Sequence, residues 1–497
     1  MNIIDLLRKR KLCKGVFTLP SGELVKGRII LDPKNDHFIV LQVNRPQGSW
    51  TLPPDFKEIA MPGKLDDGTP VTLIGSSPVR SKYLSFDPCY DINCQSLFTG
   101  DTPHPVQIHN CEVTQVRFNL TRSRKIFPFY MDQVSPEKRH EILRTIIGNA
   151  YQPNKKGYSF DRIYYCGRRA EVISCNTNYG RVSVRPYDVT TLPYIDVEFV
   201  MEPNLGGNLS DAEGAIECVT RFFWLITGSR QYAEKIRMVV RGSEDGVTRN
   251  LDAHFLLQEA PLFTPDTAQD SINPLIDPIK DREMFEKCLS AWSSLTEIQR
   301  AACDVRLSHF NEPIHSPFRI ARDAVAYEWY DNTSEDASKR SDNESTRLKK
   351  EIVKFANNRI RDEFDDTNER HFVLTNLGEI PERRTLRDKI NSRLCIIRKH
   401  LPEEIKDNID SVVDKAVKAR NEYIHVQTYM LSEQAAPCYM YMANSLEFIF
   451  LSSVLVECGW EMKKWVKSFN TLLHPFSSYI ADYSQLCDLC IEPKPKD

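Results

Sequence analysis

The sequence predicts an α+β multidomain protein, with a β-rich N-terminal domain followed by an all-α helical bundle. Three observations predict it. Residues 1–262 hold short β-branched and apolar segments, set apart by Gly, Pro, Asn or Asp. Beyond residue 281, apolar residues recur at helical spacing almost to the end. Between the two runs a Pro/Asp-rich stretch (Pro261, Pro265, Asp266, Asp270, Pro274, Asp277, Pro278), which reads as a connection. At 497 residues, the chain is also too long for one ordinary core. The expected division is a β-rich domain at 1–262, a linker at 263–280, a helical domain at 281–491 and a flexible tail at 492–497.

Along the first half, Gly27–Leu31 and His37–Val43 flank the turn Asp32-Pro33-Lys34-Asn35-Asp36 and read as a hairpin. Further strands are expected at Pro70–Ile74, Cys111–Leu120, Ala170–Ser174, Gly180–Val184 and Ile195–Met201. One helix stands out at Ser210–Thr227. Ser210 fits an N-cap, with Glu213 three residues on completing a capping box. In the second half, helices are expected at Arg282–Ser294, Leu295–Arg306, Pro317–Tyr330, Leu348–Phe364, Thr385–His400, Glu403–Met430 and Tyr439–Phe469. The polar, acidic run Asn332–Thr346 reads as a loop.

Composition narrows the function. With 41% hydrophobic and 27% charged residues, the chain reads as globular. A net charge of -3 excludes a generally basic protein, so any contact with nucleic acid must come from a local patch. The 14 cysteines are scattered rather than framed. Met1-Asn2-Ile3-Ile4-Asp5 runs into a charged Leu-Leu-Arg-Lys-Arg-Lys segment rather than an apolar leader. The longest apolar run, Phe448–Val456, is far short of the ~20 residues a bilayer needs and reads as a core helix. The expectation is a cytoplasmic protein with reduced thiols and no membrane contact. Cys487-x-x-Cys490 has a zinc-like spacing, but only Cys89 and Cys94 offer another close pair, at an atypical distance. Unligated thiols, no metal and no cofactor are therefore expected, with His104, His109 and Cys111 structural.

The chemistry concentrates in Ala419-Arg420-Asn421-Glu422-Tyr423-Ile424-His425. A cation, an amide and an imidazole within about two helical turns can bind a phosphodiester, orient it and move its protons. The letters alone do not define a site, because Arg249-Asn250-Leu251-Asp252-Ala253-His254 repeats the spacing, and Arg393 with His400 gives a looser match. The copy at 249–254 follows a turn cluster among strand-like segments and reads as coincidence. The copy at 420–425 lies late on a long amphipathic helix. At ~100° per residue, Ile409, Val413, Ala416, Tyr423 and Ile424 fall near one meridian, while Asp414, Lys418, Asn421 and His425 fall on another face. Arg420 sits in the middle of the apolar stripe. A charge there must be paired, placed at a helix interface or bent towards solvent. Asn421 and His425 are i,i+4 neighbours, so the amide can hold the imidazole in one tautomer. The competing reading is a plain amphipathic helix with a snorkelling arginine.

The motif resembles the Arg-(four to six residues)-His signature of the HEPN superfamily. The order of Ala324–Tyr330, Thr385–Leu394 and Val417–His425 resembles HEPN domains of the ApeA type. Gly68–Ile74, Leu209–Glu213 and Phe222–Gly228 are similar to the ApeA N-terminal domain. One departure is Val426, where HEPN motifs often carry Gly after the His; valine lets the helix continue. The resemblance implies an all-α HEPN bundle coupled to a sensing or regulatory domain. It further implies a bacterial anti-phage effector acting through abortive infection, with metal-independent ribonuclease activity and a homodimer that brings two motifs together.

On that reading, His425 is general base or acid, Arg420 stabilises charge on the phosphate, and Asn421 orients His425 or the scissile phosphate. The RNA target is unspecified, with tRNA a reasonable choice; a phage-derived trigger is a candidate activator, and the ligand of the N-terminal domain is left open. Arg383, Arg384, Arg387, Lys389, Arg393, Arg398 and Lys399 form a basic excess suited to RNA, and equally suited to a solvated helix face. Glu328 reads as a surface glutamate that has the chemistry to pair with Arg420. A catalytically inactive HEPN module for dimerisation or RNA binding is the alternative; a metal-dependent nuclease is weaker, since no Asp/Glu/His cluster appears.

Overall fold

The computed structural model describes residues 13–121, 164–255, 274–331, 385–426, 436–468 and 474–490. Short breaks fall at 20, 33–34, 45–58, 85–86, 101–110, 166–167, 170–172, 189–195, 204–206, 243–245, 279–280, 309 and 311–316. The chain divides into two compact units, Met1–Ser293 and Ser294–Asp497. The first is β-rich and the second helical, the α+β architecture that the sequence predicts.

The first unit begins with six antiparallel strands: β1 (Cys13–Thr18), β2 (Leu24–Asp32), β3 (Asn35–Asn44), β4 (Ile59–Leu65), β5 (Pro70–Leu84) and β6 (Asp87–Gly100). Pairing runs β1–β2–β3–β6–β5–β4 and returns to β1, so the sheet closes into a barrel and removes its own edges. Phe17, Ile29, Leu41, Val43, Leu73 and Leu97 fill its core. Phe17 lies against Gly63, its partner on β4; a Cβ there would sit 2.4 Å from Phe17 Cδ1. Only a residue without a side chain fits beneath the ring.

Strand β6 also leads out of the barrel. Residues 89–94 pair with β3, while 96–100 pair with β14 (Thr248–Phe255). From β14 a second sheet continues through β13 (Ala233–Arg241), β7 (Glu112–Leu120), β12 (Asp196–Pro203), β11 (Gly180–Asp188) and β10 (Ile173–Thr177). Tyr164–Tyr165 (β8) and Arg168–Arg169 (β9) form a separate two-stranded ladder. Helix α1 (Leu209–Thr227) covers this sheet, with Phe223 edge-on to Phe199 of β12 at 5.2 Å.

Helix α1 starts earlier than its sequence signal. Asn208, in an extended conformation, is the N-cap: Asp211 N donates to its Oδ1 at 3.0 Å, and its own N donates to Asp211 Oδ2 at 2.9 Å. Ser210 therefore lies in the first turn. The domain boundary also moves. Helix α2 (Arg282–Ser293) groups with the β-rich unit, because Trp292 Nε1 donates to Cys218 O at 3.1 Å and Phe285 packs edge-on against Phe222. Its apolar stripe completes the covering of α1 rather than opening the helical bundle.

The helical unit comprises α3 (Glu297–Leu307), α4 (Pro317–Asp331), α5 (Leu386–Arg398), α6 (Glu403–Val426), α7 (Ala436–Glu457), α8 (Met462–Ser468) and α9 (Pro475–Cys490). Helix α7 is its axis, packed by α4, α5, α6 and α9. Pro437–Glu457 is long and apolar enough to cross a membrane, but 83% of its most apolar window is buried inside the unit. It is apolar all round, as an enveloped core helix must be. Its buried Ser445 and Ser453 donate back to Tyr441 O (2.8 Å) and Phe450 O (2.7 Å), so neither hydroxyl is stranded.

The single helix expected over 439–469 is two helices. Gly459 adopts φ +107° and Trp460 N donates back to Leu455 O at 2.9 Å, which ends α7 before α8 begins. Helix α9 has no counterpart among the expected elements. The helix expected at 348–364, the loop at 332–346, the tail at 492–497 and most of the linker lie outside the described residues.

Candidate active site

Helix α6 carries the motif near its C-terminal end. Its first turns are anchored in the core by Ile405, Ile409, Val412, Val413 and Ala416, each at most 1% exposed. The stripe then emerges: Ala419 is buried, whereas Ile424 is 43% exposed. Arg420 therefore stands where the helix leaves the core, and a charge at that position needs a partner.

The partner comes from α4. Arg420 Nη2 donates to Glu328 Oε1 at 3.2 Å, and Arg420 Nη1 donates to Asn421 Oδ1 at 3.2 Å. Arg420 Nε is buried with no hydrogen-bond partner. The carboxylate neutralises the guanidinium and the amide fixes its rotation, because the planar fork has only certain directions to give. Glu328 is thus not the plain surface glutamate expected from the sequence. Helix α5 reaches the same place: Lys389 Nζ donates to the backbone carbonyl of Glu328 at 3.3 Å. A ring contact closes the other flank, Phe318 of α4 meeting Tyr423 of α6 edge-on with centroids 6.3 Å apart.

His425 lies on α6, one residue before its last, so the helix runs through the whole motif and includes Val426. Residues 427–435, where the helix was expected to continue to Met430, lie outside the described residues. Helical geometry places position 425 ~40° from 421 and ~140° from 420 around the axis. The second copy of the spacing falls on strand β14. There the rise of ~3.3 Å per residue separates positions 249 and 254 by ~16 Å, against an axial rise of ~7.5 Å on α6. Only the helical copy keeps its three positions within two turns of one helix. The looser pair, Arg393 and His400, begins with a buried arginine.

The basic residues of α5 are largely committed elsewhere. Arg387 Nε lies 2.8 Å from Asp414 Oδ1, and Arg398 pairs with Asp410, so both tie α5 to α6. Arg393 is 4% exposed, paired with Glu457 at 2.6 Å and stacked over Tyr330 at 4.2 Å. Burial pushes the Tyr330 hydroxyl up from its ordinary value, so it stays protonated and donates to Glu457 Oε2 at 3.2 Å. A buried, paired guanidinium is part of the bundle's core, and Arg393 is removed from the RNA-contacting set on that ground. Lys389 adjoins the motif and Lys399 is exposed, whereas Arg383 and Arg384 lie outside the described residues.

Residues 324–464 match the family model described as Apea-like HEPN. Over this segment the chain is similar to Apea-like HEPN domains. No curated protein and no solved structure matches the chain. The matched segment begins within α4 and ends within α8, and so contains Glu328, Lys389, Arg420, Asn421 and His425. The family points to a HEPN nuclease of anti-phage systems. Among the described residues, no group of three or more His, Cys, Asp or Glu side chains is arranged to hold a metal ion. Cys487 and Cys490 lie on α9.

Glu328 is the residue that sequence reasoning undervalued. The signal for it was present in the helical wheel: a charge inside an apolar stripe requires an opposite charge from a packed neighbour. What the wheel lacked was the neighbour's identity, 92 residues away on α4.

Proposed function

We propose that the chain is a metal-independent endoribonuclease of a bacterial anti-phage abortive-infection system. The observation that carries this reading is the held Arg420: fixed by Glu328 and Asn421 in the HEPN domain, within two turns of His425. In the proposed reaction, the 2′-oxygen of a ribose bonds to the adjacent phosphorus and the P–O5′ bond breaks. The 2′ proton passes to a base, and the departing O5′ takes a proton from an acid. Imidazole suits either task because it titrates near neutrality. His425 fills one role, and Arg420 stabilises charge on the non-bridging phosphate oxygens. Asn421 has its carbonyl oxygen on Arg420 in the resting protein, which supports a role in orienting the arginine. The products are a 2′,3′-cyclic phosphate and a 5′-OH.

One histidine does not serve as base and acid in a single step, so a homodimer through the helical unit supplies the second. The β-rich unit senses a phage-derived trigger in the cytoplasm, and the target RNA is a small essential pool such as tRNA. The test is cleavage of mixed cellular RNA by purified protein in EDTA, with candidate phage triggers added in turn. Cleavage should persist in the chelator and vanish in His425→Ala with the fold intact. Loss of cleavage in EDTA would move the reading to a metal nuclease; an active His425→Ala protein would remove the assigned site. Absence of cleavage under every trigger would leave a HEPN module that binds rather than cuts.

A further inference from the structure

Beside the motif lie aromatic and cationic side chains, Phe318, Tyr423 and Arg322, that the proposed cleavage reaction does not use. Phe318, the second residue of α4, is 50% exposed, and its ring meets Tyr423 edge-on at 6.3 Å. Arg322, one turn further along α4, places its guanidinium 5.9 Å from the Phe318 ring centroid. Arg420 lies one turn before Tyr423 on α6, and Ile424 beside it is 43% exposed. Scattered exposed apolar residues need no explanation, but an exposed ring packed on Tyr423 and flanked by two arginines at a motif does. A half-exposed aromatic ring beside two arginines matches the chemistry of an unpaired base attached to a phosphate.

We propose that Phe318, buttressed edge-on by Tyr423, is a shelf on which one unpaired nucleobase of the RNA stacks, its phosphate directed to Arg420. The shelf rests on the ribonuclease reading only for the identity of the polymer. Position 423 lies ~160° around α6 from position 425, and ~60° from position 420. The stacked base therefore belongs to a nucleotide neighbouring the scissile bond, not to the one being cut. The substrate class that follows is single-stranded RNA, in a loop or a tail. A paired base keeps its faces inside the helix and has none to offer.

The test uses the full-length protein and a dye-labelled 2′-O-methyl oligonucleotide, which lacks the attacking hydroxyl. Its affinity is read by anisotropy, single-stranded and annealed to its complement. The expected result is single-strand binding that Phe318→Ala weakens about 5- to 100-fold, the size of one lost base stack. Phe318→Leu should weaken it similarly, since it keeps apolar area and loses the π face; Phe318→Tyr should restore it. Duplex binding should change little. The shelf is overturned if Phe318→Leu binds like wild type, or if both oligonucleotides lose affinity equally. It is also overturned if the substitutions spare RNA binding but dissociate a wild-type oligomer in sedimentation, which would make the patch a contact between copies. A protein with Phe318-dependent single-strand binding and no RNA cleavage keeps the shelf and loses the ribonuclease. Cleavage with unaltered Phe318→Leu binding does the reverse.

Discussion

Glu328 Oε1 and Arg420 Nη2 stand 3.2 Å apart across the contact between α4 and α6. Both side chains are partly open to solvent, 41% and 24% exposed, so the pair contributes little to folding, on the order of 0.5 kcal/mol. Its consequence is direction: the carboxylate holds the guanidinium that the proposed reaction needs in place. Glu328→Gln should leave the melting temperature nearly unchanged while lowering single-turnover RNA cleavage about 10- to 100-fold, with a smaller effect on substrate affinity. Equal cleavage by variant and wild type would reduce Glu328 to a surface charge.

Arg393 and Glu457 make the opposite case, a pair that matters to the fold. Arg393 is 4% exposed, with Nη1 2.6 Å and Nη2 2.7 Å from the two Glu457 oxygens. Removing the carboxylate strands a buried cation over Tyr330. Glu457→Ala should lower stability by about 2 kcal/mol, less than for a fully buried pair because Glu457 is 42% exposed. Chemical denaturation of the helical unit within the full chain measures this. Affinity for RNA at a temperature where the variant is folded should be unaltered. A stable variant with weak RNA binding would return Arg393 to the RNA-contacting face.

The legible parts of this chain were those written in local periodicity. The α6 stripe, the hairpin of β2 and β3, and the strand context of the second Arg-Asn-x-x-x-His copy follow from neighbours in sequence. Barrel closure was not legible, because β1 finds β4 and β5 finds β6 through register, not through any local signal. Strand β13 (Ala-Glu-Lys-Ile-Arg-Met-Val-Val-Arg) hides its alternation among charges, with Ile236, Met238 and Val240 inward. Helix α9 escaped for a similar reason, as the buried side chains among its described residues are Phe476, Ser477, Tyr479 and Tyr483 rather than aliphatic ones. Tyr479 OH donates to Ser445 Oγ at 3.0 Å and Tyr483 OH to Ile405 O at 3.3 Å, partners that only the fold supplies.

Gly63 tests the barrel directly. An alanine Cβ would lie 2.4 Å from Phe17 Cδ1 and 2.8 Å from Val16 O, and the backbone oxygen gives way less readily than a ring. Gly63→Ala should destabilise the β-rich unit by about 1–3 kcal/mol. Phe17→Leu should cost roughly 1 kcal/mol alone, and the double variant should be more stable than the sum of the two predicts. Strict additivity in a denaturation series would mean that the ring and the glycine are not in contact.

His400, just beyond α5, gives the fold an acid limit. Burial pushes its imidazole below the ordinary value of 6.5, with the nearby charges of Lys399 and Lys463 adding to the shift. Its Nδ1 is buried with no hydrogen-bond partner. The folded protein therefore binds this proton less tightly than the unfolded chain does. Above pH 7 the ring is neutral in both states and has no influence. As pH falls through 6.5 the unfolded chain takes up the proton first, and stability declines. The decline levels off once the folded-state value is passed and both states are charged. Melting temperature followed from pH 8 to pH 5 should be flat and then fall, and His400→Gln should show a shallower fall over the acid half. Superimposable profiles for the two proteins would assign the acid sensitivity to other groups.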